Sequence, residues 1–403
     1  MTPKFIQIHF LAAWPGSLLN RDDAGLAKRL PFGTATRTRI SSQCLKRHWR
    51  CADDQYNERA LRVLAREQGV EGTRSKITIE REVIKPLEGR FSKEALEAVQ
   101  GVFLTHFYGK NAKSSDSRQA LLFGRPEIAW MRENAERILS ENADVKAAEA
   151  AANAWIKEGR ANLNQLRDQT ALSASLEAAL FGRMVTSDAR ANTDAAIHVA
   201  HAFTVHEEQP ELDYFTVVDD LRSRAEGDDA GAAGIFDTEL TSGLYYGYVV
   251  VDLPLLVSNL TGCDRKDWTG DHDRDLAARV VENLVYLVAE VSPGAKKGST
   301  APYSRAELVL VEAGDRQPRT LANAFRDPVK LDRGINQSLG RRTADAMLGH
   351  LSAMDAVYET GEARRHAALP DLQLASVESG SLAALAAWAG AIVRNAAVEG
   401  GAA

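Results

Sequence analysis

Leu244-Tyr245-Tyr246-Gly247-Tyr248-Val249-Val250-Val251 is the most strand-like run in the chain, dominated by β-branched and aromatic residues. Downstream of it, Leu276, Val280, Leu284, Leu287 and Val288 lie on one helical stripe, and Glu307-Leu308-Val309-Leu310-Val311 reads as the next strand. Upstream, Ile197 to Val205 has strand composition. At the N-terminus Ile6, Ile8 and Phe10 alternate with Gln7 and His9, the period of a half-buried strand. Ala13 to Thr36 reads as a loop. Ser41 and Ser42 then offer a helix cap, with helical spacing from Gln43 to about Gln68.

Two segments interrupt this series. Residues 75–180 carry repeated helix signals: Ile128, Met131, Ala135, Ile138 and Leu139 share a stripe behind Pro126, a residue suited to a first turn, and 146–156 is Ala-rich. Residues 207–230 hold nine Asp/Glu against two Arg, an acidic arm of net charge -7. Without both, the order is strand, helix, strand, strand, helix, strand. That predicts an α+β fold with a ferredoxin-like or RNA-recognition-type core. No repeat of about 20–50 residues recurs, which excludes a solenoid.

The 403 residues suggest roughly two or three structural units. At 45% hydrophobic and 26% charged residues, the chain is neither fibrous nor wholly disordered. Three cysteines, Cys44, Cys51 and Cys263, make no disulfide framework and no CxxC pair, so a reducing compartment fits. No apolar run reaches the roughly 18 residues of a membrane span. Phe5 to Leu11 lacks the cleavage site of a signal peptide, and a cytoplasmic protein is expected.

The net charge of -6 hides an asymmetry. Residues 1–50 carry nine Lys/Arg against Asp22 and Asp23, a net of +7, which leaves -13 on the other 353 residues. A basic patch in an acidic chain marks a local anion site or else a solvated helix face. Arg37 to Arg50 is its densest part. Gln43, Lys46 and Arg50 at i, i+3 and i+7 share a face of the helix that Ser41 and Ser42 begin, with Arg37 and Arg39 just upstream and Arg21 and Lys28 on the preceding loop.

Other constellations read as structural. Asp22-Asp23 could hold a metal for phosphodiester cleavage, but adjacent loop carboxylates are more often turn residues or partners of arginines. His198, His201 and His206 cannot converge from one strand and read as sheet histidines. Asp271-His272-Asp273 suits a helix start. No P-loop, GxGxxG, GxSxG or HExxH motif occurs. The acidic arm would repel phosphate, yet Tyr214-Phe215-Thr216-Val217-Val218 gives it an aromatic wedge suited to stacking on a base or docking on a neighbour. The alternative is a hairpin packed on its own domain.

These residues together resemble one family. Leu19-Asn20-Arg21-Asp22-Asp23, Phe32-Gly33 and Arg39-Ile40-Ser41-Ser42-Gln43-Cys44-Leu45-Lys46-Arg47 are similar to the N-terminal signature of the backbone (CasC-family) subunit of Cascade, the type I-E CRISPR surveillance complex. Phe181 to Ser187 resembles a second block, Ala200 to His206 with Tyr214 to Asp220 a third, and Ser242 to Tyr246 a fourth, in the family's order over roughly residues 1–300. The last hundred residues match weakly.

The resemblance implies a hand: a palm over 1–58, 181–201 and 240–403, helical fingers over 59–180, and a thumb over 202–239. It implies a non-catalytic protein without cofactor or metal. Its partners would be the CRISPR guide RNA, neighbouring copies in a filament, other Cascade subunits and, through the guide, target DNA. By position, Arg21, Lys28, Arg39, Gln43, Lys46 and Arg50 would grip the RNA backbone. Met184, Phe215 and Thr216 would wedge a displaced nucleotide, and the Lys296-Lys297 loop would also meet nucleic acid. The alternatives are a metal-dependent RNA-cleaving backbone subunit of the type III kind, or a free-standing RNA-binding module.

Overall fold

In the computed structural model, which describes residues 2–52, 58–169, 174–184, 192–217, 234–332 and 336–396, β1 (Phe5–Ser17) is the centre of a ten-stranded sheet. It pairs antiparallel with β9 (Gly234–Asp252) on one side, Ile8 opposite Val249, and with β10 (Ala306–Gly314) on the other, Ile8 opposite Val311. Beyond β9 lie β6 (Ile197–Val199) and β7 (Ala202–Thr204), then the hairpin of β3 (Ala35–Ile40) and β2 (Arg29–Phe32). Beyond β10 lie β11 (Ala363–Ala368) and the short parallel β12 (Glu378–Ser379). The four strands expected from the sequence thus run, in space, fourth, first, third, second.

Helices cover both faces. Ile6, Ile8 and Phe10 point into a core with Leu45 and Trp49 of α1 (Ser42–Arg50), Val281 and Leu284 of α8 (Asp275–Glu290), and Leu385 and Ala389 of α11 (Leu382–Arg394). That face also takes α7 (Leu253–Thr261). On the opposite face Leu11, Tyr246 and Leu310 pack on Ala344, Met347 and Leu351 of α10 (Leu339–Tyr358). The last hundred residues therefore supply one helix to each face and an edge of the sheet.

The helical insertion has its own core. Phe103 of α3 (Lys93–Tyr108), Met131 and Ile138 of α4 (Arg125–Glu141) and Trp155 of α5 (Val145–Gln169) are buried together. The ribbon of β4 (Gly72–Ser75) and β5 (Leu121–Gly124) closes one end. Within the span 59–180, α2 (Leu61–Glu67) and α6 (Leu176–Phe181) instead pack on the main core through Leu61, Leu64 and Leu180. The arm is a hairpin in which β8 (Pro210–Val217) lies on the first half of β9, from Pro210 opposite Thr241 to Val217 opposite Gly234. The expected tip of the arm, 218–233, and 185–187 of the second block lie outside the described residues. Among the described residues, no helix is long and apolar enough to cross a membrane.

Four expectations change. The helical spacing read from Gln43 to about Gln68 divides into α1, which ends at Arg50, and α2, which starts at Leu61. β1 is buried on both faces, because Gln7 and His9 are enclosed by a polar network. His9 bonds Tyr246 Oη and Glu312 Oε2, both at 2.9 Å, and Glu312 also accepts from Arg319 and Arg364. The loop Ala13–Thr36 contains the end of β1 and half of the β2–β3 hairpin. Gly33 (φ +63°) turns that hairpin where a Cβ would sit 1.7 Å from the Arg326 carbonyl. The strand expected over Ile197–Val205 is two short strands, interrupted at Ala200-His201.

Candidate nucleic-acid interface

The separated pieces of the N-terminal motif meet at the start of α1. Ser41 caps the helix, its side chain accepting from the Cys44 amide at 3.2 Å, and Asn20 Oδ1 accepts from the Ser41 amide at 2.9 Å. Asp22 closes the 20–28 loop from within: its Oδ1 accepts from the amides of Ala24 and Leu26, each at 3.0 Å. Of the two readings of this carboxylate, turn residue or partner of an arginine, these bonds give the first, a turn closed locally by an Asp side chain. Arg21 bridges to Ala27, and the Lys28 amide donates to Asn20 O, so Arg21 and Lys28 stand across the neck of the loop.

Three predicted cations converge. The Arg39 amide donates to Lys28 O at 2.8 Å, which sets Lys28 beside β3. Arg39 Nε donates to Arg29 O at 2.9 Å, and its Nη1 donates to His201 Nδ1 at 3.0 Å. Partial burial, then Arg39, Lys28 and Lys46, lower the pKa of His201, Arg39 by direct contact and the two lysines through their charge. Burial and the nearby Arg74 lower Lys46 as well. The exposed Gln43 lies one turn before Lys46 on α1. Like charges drawn together from the 20–28 loop, β3 and α1 form a surface that an anion would relieve.

Arg50 does not belong to that surface. Although it lies on the predicted face, its Nη1 is 2.6 Å from Glu177 Oε1, and both side chains are largely buried. It lines a cleft of about 640 Å³ between α2, α4 and α6. Arg37 is fully buried and donates to the carbonyls of Thr204 and Phe325 at 3.0 and 2.8 Å, so it holds β3 to its neighbours. Arg29 is tied to Glu208 and Glu239 and fastens the base of the arm to β2.

The arm and the Lys296-Lys297 loop also meet. Phe215 stacks on its cross-strand partner Phe236, centroids 5.5 Å apart and 22° between planes. Both rings remain exposed. Lys296 bonds Thr238 of β9 and sits 5.8 Å from the Phe215 centroid. Thr216 is exposed on the opposite side of β8. Lys297 opens the single turn α9 (Lys297–Thr300), stands 6.0 Å from the exposed Tyr303 ring, and acts electrostatically on His48 of α1. His48 Nε2 accepts from the Gly294 amide at 3.3 Å. The loop therefore bridges α1 and the arm. Met184, 65% exposed, follows Arg183, which a 2.7 Å ion pair with Glu127 holds in a buried site.

Sequence reading gave His201 only a place in the sheet and did not single out Phe236 or Tyr303. Phe236 could have been found from the register of an aromatic hairpin; His201 and Tyr303 carry no local signal. Among the described residues, no group of His, Cys, Asp or Glu could hold a metal. His198, His201 and His206 make separate contacts, to Ala195 O, Arg39 and the Glu207 carbonyl.

Comparison with known proteins adds a family and a fold. The family described as CT1975-like protein matches residues 6–389. A chain from a structure described as CRISPR RNA-guided surveillance complex, pre-nicking, superposes with a TM-score of 0.70 at 24% identity, over 96% of this chain and 100% of that one. A second, described as CRISPR RNA-guided surveillance complex, gives 0.53 at 20% identity, over 96% and 99%. No curated protein matches.

Proposed function

From the premise that the chain belongs to the family of CT1975-like proteins, we propose that it is a guide-RNA-binding backbone subunit of a Cascade-type CRISPR complex. In this reading it is of type I-E, has no catalysis of its own, works in the cytoplasm and oligomerises along the CRISPR RNA. The shared fold with chains of CRISPR RNA-guided surveillance complexes supports the assignment. The strand order fourth, first, third, second supports a ferredoxin-like palm.

One observation carries the reading most: Lys28, Arg39 and Lys46 converge beside a loop, 294–303, that reaches the exposed Phe215. Cations grip the sugar-phosphate backbone without regard to sequence, and an aromatic pair stacks on a base. A surface that positions the backbone and leaves base edges outward can display a guide to target DNA. The acidic arm, repelled by phosphate, would contribute its rings and little charge. Neighbouring copies and other Cascade subunits are the remaining partners in this reading.

The test is to purify the chain with and without a CRISPR RNA and to size the products. RNA-dependent, discrete oligomers with the RNA intact in magnesium or manganese are expected. An RNA-free monomer under both conditions would overturn the assignment. Regular metal-dependent cuts abolished by Asp23→Ala would establish the cleaving alternative.

A further inference from the structure

His201 stands exposed at the turn between β6 and β7, at the centre of the cation cluster. Because Arg39 Nη1 donates to its Nδ1 at 3.0 Å, the neutral ring carries its proton on Nε2. Arg39 is fixed by its second bond, Nε to Arg29 O. The charged groups bearing on the ring are Arg39 of β3, Lys28 at the neck of the 20–28 loop and Lys46 of α1, and all are cationic. Partial burial and then these charges keep the ring below the ordinary histidine range. The ring is thus a hydrogen-bond donor aimed away from Arg39 in a field that repels a proton until an anion arrives.

Resting on the reading that this surface holds RNA, we propose that His201 is a further phosphate-binding residue: its Nε2–H donates to a phosphodiester oxygen gripped by Lys28, Arg39 and Lys46, and as Arg39 Nη1 leaves Nδ1 for that phosphate the ring takes up a proton on the freed Nδ1. The sign follows from charge. A bound phosphate stabilises the imidazolium, so the complex holds more protons than the free protein, and affinity rises as pH falls through the window between the two states. Above and below that window the dependence vanishes. His48 is the other histidine on this side of α1, but Cys44 O and the Gly294 amide engage its two ring nitrogens.

The measurement is the anisotropy of a labelled, synthetic single-stranded RNA with the full chain, at fixed ionic strength, from about pH 8.5 to about pH 5.5. Wild type should gain affinity roughly five- to tenfold across that range. His201→Gln, which keeps an N–H donor and cannot titrate, should match wild type within about twofold at the alkaline end and stay flat. His48→Gln should keep the wild-type slope. A wild-type slope in His201→Gln, or an equal loss at every pH, would overturn the inference while leaving RNA binding in place. No binding at any pH by wild type would overturn both readings.

Discussion

Lys46 and Arg50 show what one side chain's partner decides. Their spacing on α1 puts both on one face, and that much is legible in the sequence. What separates them is Glu177, a residue 127 positions away that folding brings to Arg50. A tertiary partner leaves no mark in helical periodicity. The two arginine-to-alanine and lysine-to-alanine changes should therefore part company. Lys46→Ala should weaken RNA binding and reduce the slope of log K against log salt by about one unit, as loss of one phosphate contact requires. Arg50→Ala should leave that slope alone and lower stability by about 1 kcal/mol, because Arg74, 3.4 Å away, still answers part of the Glu177 charge. Salt-titrated binding and urea unfolding of both variants check this; equal loss of slope in the two would return Arg50 to the RNA surface.

At the scale of elements, the polar network under the sheet is the feature the sequence concealed. Gln7 and His9 read as the wet side of β1, yet they are fully covered. Glu312 of β10 ties β1 through His9, and accepts from Arg364 of β11 and from Arg319. Arg364 continues to Asp355 of α10. Burial alone would raise the Glu312 pKa, but hydrogen bonds from Arg319 and His9 overcome it and hold the carboxyl far below the ordinary range. A depressed carboxylate contributes stability at pH above its unfolded value of about 4.3, and that contribution is lost as pH falls below it. Glu312→Gln should cost about 3 kcal/mol at neutral pH, since two guanidinium groups lose a shared buried partner. The variant should also lose less stability than wild type between about pH 5 and pH 3. Unfolding curves at both pH values decide it; an unchanged acid sensitivity would show that other carboxylates dominate.

For the whole molecule, the order of strands and helices was legible because each carries its own hydrophobic period, as at Leu244–Val251 and on the Leu276–Val288 stripe. The β2–β3 hairpin, β11 and β12 were not, since these are short, polar strands toward the sheet's edges that register only against a neighbour. The candidate site was half legible: cations by type and spacing, but not the ring of His201 that they share. What the fold adds is continuity between the proposed grip and the proposed wedge, through the 294–303 loop. In a filament every copy would repeat the arm's contact with RNA, so a small loss per subunit multiplies with length. Base stacking on an aromatic is worth roughly 1–3 kcal/mol. Phe215→Ala with Met184→Ala removes two side chains exposed to 43% and 65%, so the monomer should keep its fold and its salt-dependent grip. Cooperative loading on a long guide should fade, and so should the regular pattern of reactive displaced bases under chemical probing. Phe236→Ala, which removes the ring under Phe215, should reproduce part of that loss through the arm alone. Periodic reactivity and normal assembly length in the double variant would show the arm to be a surface hairpin with no part in holding the guide.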